Sequence, residues 1–211
     1  PDFRRHKRAD HQSLCSSIVK RYCWVDGNIQ TVRNIFEAAE NEVPGPIHMD
    51  ISNVIQKNEE LLVNDKSHVD NQTLAVEDNV LKLIKGSAKP TVILGSLVTR
   101  KLKDIDWSLL NIPIVTTAAA KGCIDESTPF AGGIITGEIK ELSPETTILK
   151  EADLIIAFGL RNTEVVVPRN FDVPLIIVDV VDDRLHDGFG AHIELYSSEI
   201  TSVVSHIFDA L

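Results

Sequence analysis

Apolar residues along this chain gather into two kinds of segment, short unbroken runs and stretches with a repeat near the helical period. Thr91-Val92-Ile93-Leu94 stops on Gly95, and Leu154-Ile155-Ile156-Ala157-Phe158 stops on Gly159. Pro113-Ile114-Val115-Thr116-Thr117 and Pro174-Leu175-Ile176-Ile177-Val178-Asp179 are runs of the same kind. Each is apolar on both faces, as a strand is when its sheet is covered on both sides. Between the runs, Val76, Val80, Leu83 and Ile84 fall on one helical face, with Gly86 as a stop. Pro144 opens a predicted helix through Ile148 and Leu149 to Ala152. Ile200, Val203, Val204, Ile207, Phe208 and Leu211 form a continuous stripe, with Ser197 or Ser198 as the expected cap. Strand and helix in this alternation predict an α/β fold: a doubly wound, mostly parallel, Rossmann-like sheet with helices on both faces.

The first third has another pattern. Ile29, Val32, Ile35, Phe36 and Ala39 predict an amphipathic helix, ended by Val43-Pro44-Gly45-Pro46. Ile47-His48-Met49-Asp50-Ile51 predicts a strand, with His48 expected as a core histidine. Residues 52–71 are polar and aperiodic, and are expected as a linker. The chain thus divides into a partial α/β domain over 1–51, a linker over 52–71 and a nucleotide-fold domain over 72–211. One helix and one strand bury too little to stand alone. Residues 1–51 are therefore expected as the end of a domain that begins elsewhere.

Charge narrows the partners. With 31 acidic and 21 basic residues the net charge is −10, the wrong sign for a phosphate-backbone partner. The basic stretch from Arg4 to Arg8 reads as a solvated face or frayed end, with a nucleic-acid or membrane arm as the alternative. No apolar run reaches the roughly 18–20 residues that a membrane-spanning helix needs. Cys15, Cys23 and Cys123 are widely spaced and form no Cys-x-x-Cys. Neither a zinc site nor a disulfide framework is expected from them, and reduced thiols fit a cytoplasmic location.

Candidate chemistry gathers where a doubly wound sheet opens, beyond the C-terminal strand ends. Gly95, Thr116, Thr117, Gly159, Arg161 and Asp179 all fall there. The glycines either end strands tightly or let the backbone approach a nucleotide, although neither a Gly-x-Gly-x-x-Gly nor a Walker-type run is present. Arg161 faces a diphosphate in one reading and a salt-bridge partner in the other. Asp179 holds ribose hydroxyls, or begins an acidic turn with Asp182 and Asp183. If a nucleotide binds, Arg161→Ala is expected to weaken it and to leave the ligand-free melting point nearly unchanged. Ser87, Ser96 and Ser143 lack the context of a hydrolase nucleophile.

Several segments also resemble a known family. Lys89-Pro90-Thr91-Val92-Ile93-Leu94-Gly95 is similar to the opening of the central domain of thiamine-diphosphate enzymes such as acetolactate synthase. So are Ile112-Pro113-Ile114-Val115-Thr116-Thr117 with Lys121-Gly122, Glu151-Ala152-Asp153-Leu154-Ile155-Ile156 with Gly159 and Arg161, and Ile177-Val178-Asp179. Upstream, residues 42–51 resemble the last strand of the family's pyrimidine-binding domain, and residues 10–24 the approach to its last helix.

The resemblance implies a piece of a thiamine-diphosphate-dependent carboligase or decarboxylase, whose remaining domains hold thiamine diphosphate and magnesium. The chain has no Gly-Asp-Gly motif, so no residue carries over as catalytic or as a metal ligand. In relatives the central domain is a scaffold and in some it binds FAD or ADP; here Ser96-Leu97 follows Gly95, where flavin-binding members have further glycines. The expected partners are the other domains of the same enzyme and further copies of it. The competing reading is a stand-alone FAD, ADP or NAD-binding module of the same deoxyhypusine-synthase-like (DHS-like) fold.

Overall fold

The structure, a computed structural model, describes residues 9–25, 27–51, 76, 78–181 and 184–211. The expected linker, the basic stretch before residue 9, and Asp182 and Asp183 lie outside the described residues. The chain divides into two compact units, Pro1–Asp70 and Asn71–Leu211.

The first unit contains α1 (His11–Cys15), β1 (Arg21–Val25), α2 (Ile29–Glu40) and β2 (Ile47–Ile51). Asn28 caps α2 by accepting the Gln30 N–H, and Asp10 does the same for α1 through Ser13. Residues 21–25, expected as an approach to a helix, form a strand. Tyr22, Cys23, Trp24 and Val25 favour a pleated surface, and β2 offers a parallel partner across the α2 crossover. In that register Tyr22 stands opposite His48 and Trp24 opposite Asp50. His48 is only half-buried, which corrects the expectation of a core histidine: a two-stranded sheet has too few neighbours to enclose it.

The second unit contains α3 (Asp78–Gly86), β3 (Pro90–Leu94), α4 (Val98–Lys101), β4 (Ile114–Thr116), β5 (Ala131–Ile134), α5 (Pro144–Thr147), β6 (Leu154–Phe158), β7 (Leu175–Asp179), β8 (Ile193–Tyr196) and α6 (Ile200–Ala210). The strands form one sheet in the order β5-β4-β3-β6-β7-β8, with every pairing parallel. From β3 the chain winds outward to β5, returns to the other side of β3 as β6, and winds outward again. The switch in direction lies between β3 and β6.

Period-two alternation sends side chains to both faces of the central strands. Val92, Leu94, Ile156, Phe158, Ile176 and Val178 join α3, α4 and α6 in one core. Ile93, Ile155, Ala157, Leu175 and Ile177 join Leu149, Ala152 and Phe189 in the other. Trp107, which is 1% exposed, anchors the first core with its ring 5.0 Å from Phe158 and 5.4 Å from Phe208.

Two strands of this second unit were not anticipated. β5 reads in sequence as a glycine cluster, and β8 carries a glutamate. Both lie at sheet edges; β5 is held chiefly by backbone pairing, while β8 also packs Ile193 and Leu195 against the first core. The helix expected over 144–152 is a single turn, Pro144–Thr147. The Thr146 and Thr147 hydroxyls both donate to the Ser143 carbonyl, a local alternative to helix continuation. α6 begins after Glu199, whose N–H donates to Ser197 Oγ at 3.1 Å.

Trp107→Ala is expected to destabilise the second unit by about 3–5 kcal/mol, the range for emptying a packed aromatic site. Leu109→Ala, at a position 69% exposed, should change stability by less than about 0.5 kcal/mol. Urea denaturation followed by circular dichroism separates the two, and equal effects would contradict the core described here.

Candidate functional site

The crevice of a doubly wound sheet opens at the switch between its two halves, here between the C-terminal ends of β3 and β6. Gly95 follows β3, Thr116 ends β4 with Thr117 after it, Gly159 follows β6 with Arg161 two residues on, and Asp179 ends β7.

Gly95 and Gly159 press two turns together. A methyl group at Gly95 would sit 2.1 Å from the Gly159 carbonyl oxygen and 2.6 Å from Leu160 Cα. At Gly159, where φ is +62°, it would meet Leu97 Cβ at 2.2 Å. The Gly95 N–H donates to the Phe158 carbonyl at 2.9 Å. The absent side chains thus admit protein backbone from the neighbouring turn, and the positive φ at Gly159 suits glycine.

The polar groups around this contact converge on a carboxylate that the sequence reading passed over. Glu164 Oε1 accepts the backbone N–H groups of Ser96 and Arg161, each at 3.0 Å. Its Oε2 accepts the hydroxyl of Thr117, which is fully buried. Main-chain N–H groups from the turns after β3 and β6, with a threonine hydroxyl after β4, are the donors that a doubly wound sheet offers to a bound phosphate. In this fold a side chain of the same chain receives them. No spacing pattern marks Glu164 in the sequence, because two of its three partners lie 68 and 47 residues away.

Arg161 and Asp179 are also brought together, and to each other. Arg161 donates through Nε to Asp179 Oδ2 at 2.9 Å and through a terminal nitrogen to Oδ1 at 2.6 Å, a two-pronged pair with side chains 2% and 0% exposed. The Val180 N–H adds a bond to Oδ1 at 2.6 Å, and His186 Nε2 lies 3.2 Å from Oδ2. His186 reaches the Tyr196 hydroxyl on β8 through its other nitrogen, at 3.2 Å. Burial raises the Asp179 pKa, but the bonds from Arg161 and His186, the Arg161 charge and the Val180 N–H outweigh it and bring it down to about 2. The pair thus ties β6 to β7, with neither charge facing open solvent.

These groups are thus engaged within the fold: Glu164 holds the Ser96 and Arg161 N–H groups, Asp179 holds the Arg161 guanidinium, and backbone fills the glycine gap. A cleft of about 440 Å³ opens at the opposite end of the sheet instead, with Lys89, Pro90, Thr91, Asn111 and Glu151 among its lining. Near that end Asp153 accepts the Ala88 and Lys89 N–H groups at 2.8 and 3.0 Å and the Ser87 hydroxyl, joining the entries of β3 and β6.

Comparison with known proteins places this unit. Residues 78–201 match the family model described as "Thiamine pyrophosphate enzyme, central domain". The probable acetolactate synthase large subunit of Methanococcus aeolicus is 31% identical over 61% of this chain and 24% of its own length. The 3D-(3,5/4)-trihydroxycyclohexane-1,2-dione hydrolase of Geobacillus thermodenitrificans is 39% identical over 41% of this chain and 14% of its own. Among solved structures, a thiamin diphosphate-dependent enzyme from Mycobacterium smegmatis matches with a TM-score of 0.62 at 14% identity, over 96% of this chain and 41% of that one. Benzoylformate decarboxylase from Polynucleobacter necessarius matches with a TM-score of 0.57 at 18% identity, over 90% of this chain and 38% of that one. These structural likenesses bear on the fold. The chain spans about a quarter or less of the curated relatives' length.

Arg161→Ala is expected to cost about 3–5 kcal/mol of stability, since it strands the buried Asp179 carboxylate. The geometry thereby reverses the expectation of an unchanged ligand-free melting point. Asp179 titrates near 3.8 when unfolded and near 2 when folded. Its contribution is present in full above about pH 4 and disappears as the pH falls towards 2. Denaturation midpoints should therefore drop across that window in the native chain and drop less in Asp179→Asn. Glu164→Ala should cost about 1–3 kcal/mol by leaving two N–H groups and a hydroxyl without their acceptor. An unchanged midpoint in Glu164→Ala would show that the crevice is not held by this carboxylate.

Proposed function

The chain belongs to the thiamine pyrophosphate enzyme family, of which it carries the central domain, and from that premise we propose that the protein it represents is a thiamine-diphosphate-dependent lyase or transferase acting on 2-oxoacids. The relative with 31% identity, named as an acetolactate synthase large subunit, supports the carboligase form of that activity. In this reading residues 72–211 are the central domain and residues 1–51 the end of the pyrimidine-binding domain, with residues 52–71 joining them.

Thiamine diphosphate and magnesium do not fit the residues in hand. Magnesium takes oxygen ligands and is held through carboxylates, waters and phosphate. Among the described residues the one group of three ligand-type side chains able to meet at a point contains two imidazoles, from His11 and His48. The cofactor and its metal then belong to domains beyond this chain, which are its partners together with further copies in a cytoplasmic homo-oligomer.

The single observation that carries the role of this chain is the Glu164 carboxylate seated on the main-chain donors of the crevice. A central domain closed in this way is a scaffold that spaces its neighbours and has no need of a nucleotide. The reading as a stand-alone FAD, ADP or NAD module has no comparable support, since the Thr117 hydroxyl, the Arg161 guanidinium and the Asp179 carboxylate are engaged within the fold.

The gene region encoding this chain, expressed with its flanking coding sequence, should consume pyruvate or a related 2-oxoacid only when thiamine diphosphate and magnesium are present. Absence of any such cofactor-dependent turnover would sink the activity. The 211-residue chain itself should show no magnesium-dependent binding of thiamine diphosphate by calorimetry. ADP and FAD at millimolar concentration should leave its melting transition unmoved. A stabilisation of about 2.7 kcal/mol, the value at 100 times the dissociation constant, would restore the nucleotide module instead.

A further inference from the structure

The most concentrated set of metal-ligating side chains among the described residues lies in the first unit and has no part in the groups described above. His11 Nδ1 is 2.8 Å from Asp50 Oδ1, and His48 Nε2 is 3.2 Å from the same oxygen. The three ligand atoms all lie within 4.8 Å of one another. One carboxylate oxygen shared by two imidazole nitrogens is the arrangement a divalent ion would replace, with the cation taking the place of the two bridging protons.

The surroundings have the form of an outer ligand shell. Asp50 Oδ2, the oxygen turned away from the imidazoles, accepts the Tyr22 hydroxyl. His48 Nδ1, the nitrogen turned away from Asp50, lies 3.6 Å from Cys15 Sγ. The Tyr22 ring stacks on the His48 ring at 5.6 Å with 9° between planes, and His11 meets the same ring edge-on at 5.7 Å. Asp50 and His48 are thus each oriented by a partner on the far side, as ligands of protein metal sites are.

The backbone explains how the cluster forms. His48 and Asp50 are two residues apart on β2 and share a face, and the register of β1 sets Tyr22 opposite His48. The Asp10 cap on α1 holds the helix that carries His11 and Cys15. The ligand side chains are 47%, 32% and 17% exposed for His11, His48 and Asp50, which leaves an entry path and room for a solvent ligand.

We propose that His11, His48 and Asp50 form a binding site for a zinc-class divalent transition metal, with Tyr22 and Cys15 as the positioning residues behind them. Two imidazoles and one carboxylate suit zinc, cobalt, nickel or copper and do not suit magnesium or calcium. Three protein ligands leave a fourth, solvent-filled position on a tetrahedral ion. The proposal does not depend on the activity proposed above.

Cobalt(II) titrated into the full 211-residue chain tests this directly. One ion per chain should bind, with the intense visible absorption of a four-coordinate site, and zinc should displace it. His11→Asn and His48→Asn should each abolish the band, while Tyr22→Phe should weaken binding about tenfold, the lower end for loss of an outer-shell partner. His11 sits half-exposed on a short helix, so an unchanged circular dichroism spectrum in His11→Asn keeps the result interpretable even if His48→Asn unfolds. No visible band at millimolar cobalt overturns the site. So does a band that survives both histidine substitutions, which would place the ion on cysteines or on residues elsewhere in the chain.

Discussion

Backbone meets backbone at the middle of the six-stranded sheet. The turn after β3 and the turn after β6 cross there with no side chain between them, because Gly95 and Gly159 have none. This contact lets two central strands run side by side to their full length while their connections leave in opposite directions. It also sets what the crevice is for. Once the turns touch, their outward N–H groups point at a single place, and some acceptor must occupy it, since buried main-chain donors left bare cost free energy. Glu164 is that acceptor. A site whose geometry in other doubly wound proteins receives phosphate is here closed by the protein's own carboxylate.

The Arg161 and Asp179 pair extends the same logic across the next strand. A buried ion pair is weak evidence for net stability, because desolvation offsets much of the attraction. Its geometry is more informative. Two parallel N–H bonds, a main-chain N–H and an imidazole all converge on one carboxylate, so β6, β7 and the His186 segment can meet in few other arrangements. Arg161 contributes twice, through its backbone to Glu164 and through its side chain to Asp179. The closed crevice and the strand-end lock are therefore coupled through one residue.

All of these groups lie within residues 78–201, the stretch that matches the thiamine pyrophosphate enzyme central domain. The first unit differs in character. Its two-stranded sheet has few apolar contacts, and its best-connected groups are polar: His11, His48, Asp50 and Tyr22. A small unit of this kind gains order from whatever bridges those groups.

Sequence alone determined the parallel α/β architecture of residues 90–210, because runs such as Ile155-Ile156-Ala157 are apolar on both faces only where a sheet is covered on both sides. It also located the strand ends and glycines, since Gly95 and Gly159 stop apolar runs that cannot otherwise end so abruptly. It did not determine what those ends do. β5 and β8 escaped notice because each is only four residues long, too short to carry a clear side-chain pattern. Arg161 and Asp179 were legible as charges at a crevice, yet only the folded sheet set them 2.6 Å apart rather than towards a ligand. Glu164, and the meeting of His11 with His48 and Asp50, were invisible for the same reason. A carboxylate chooses its partners by distance in space, and Ser96 and Thr117 for Glu164, with His11 for Asp50, lie 68, 47 and 39 residues away along the sequence.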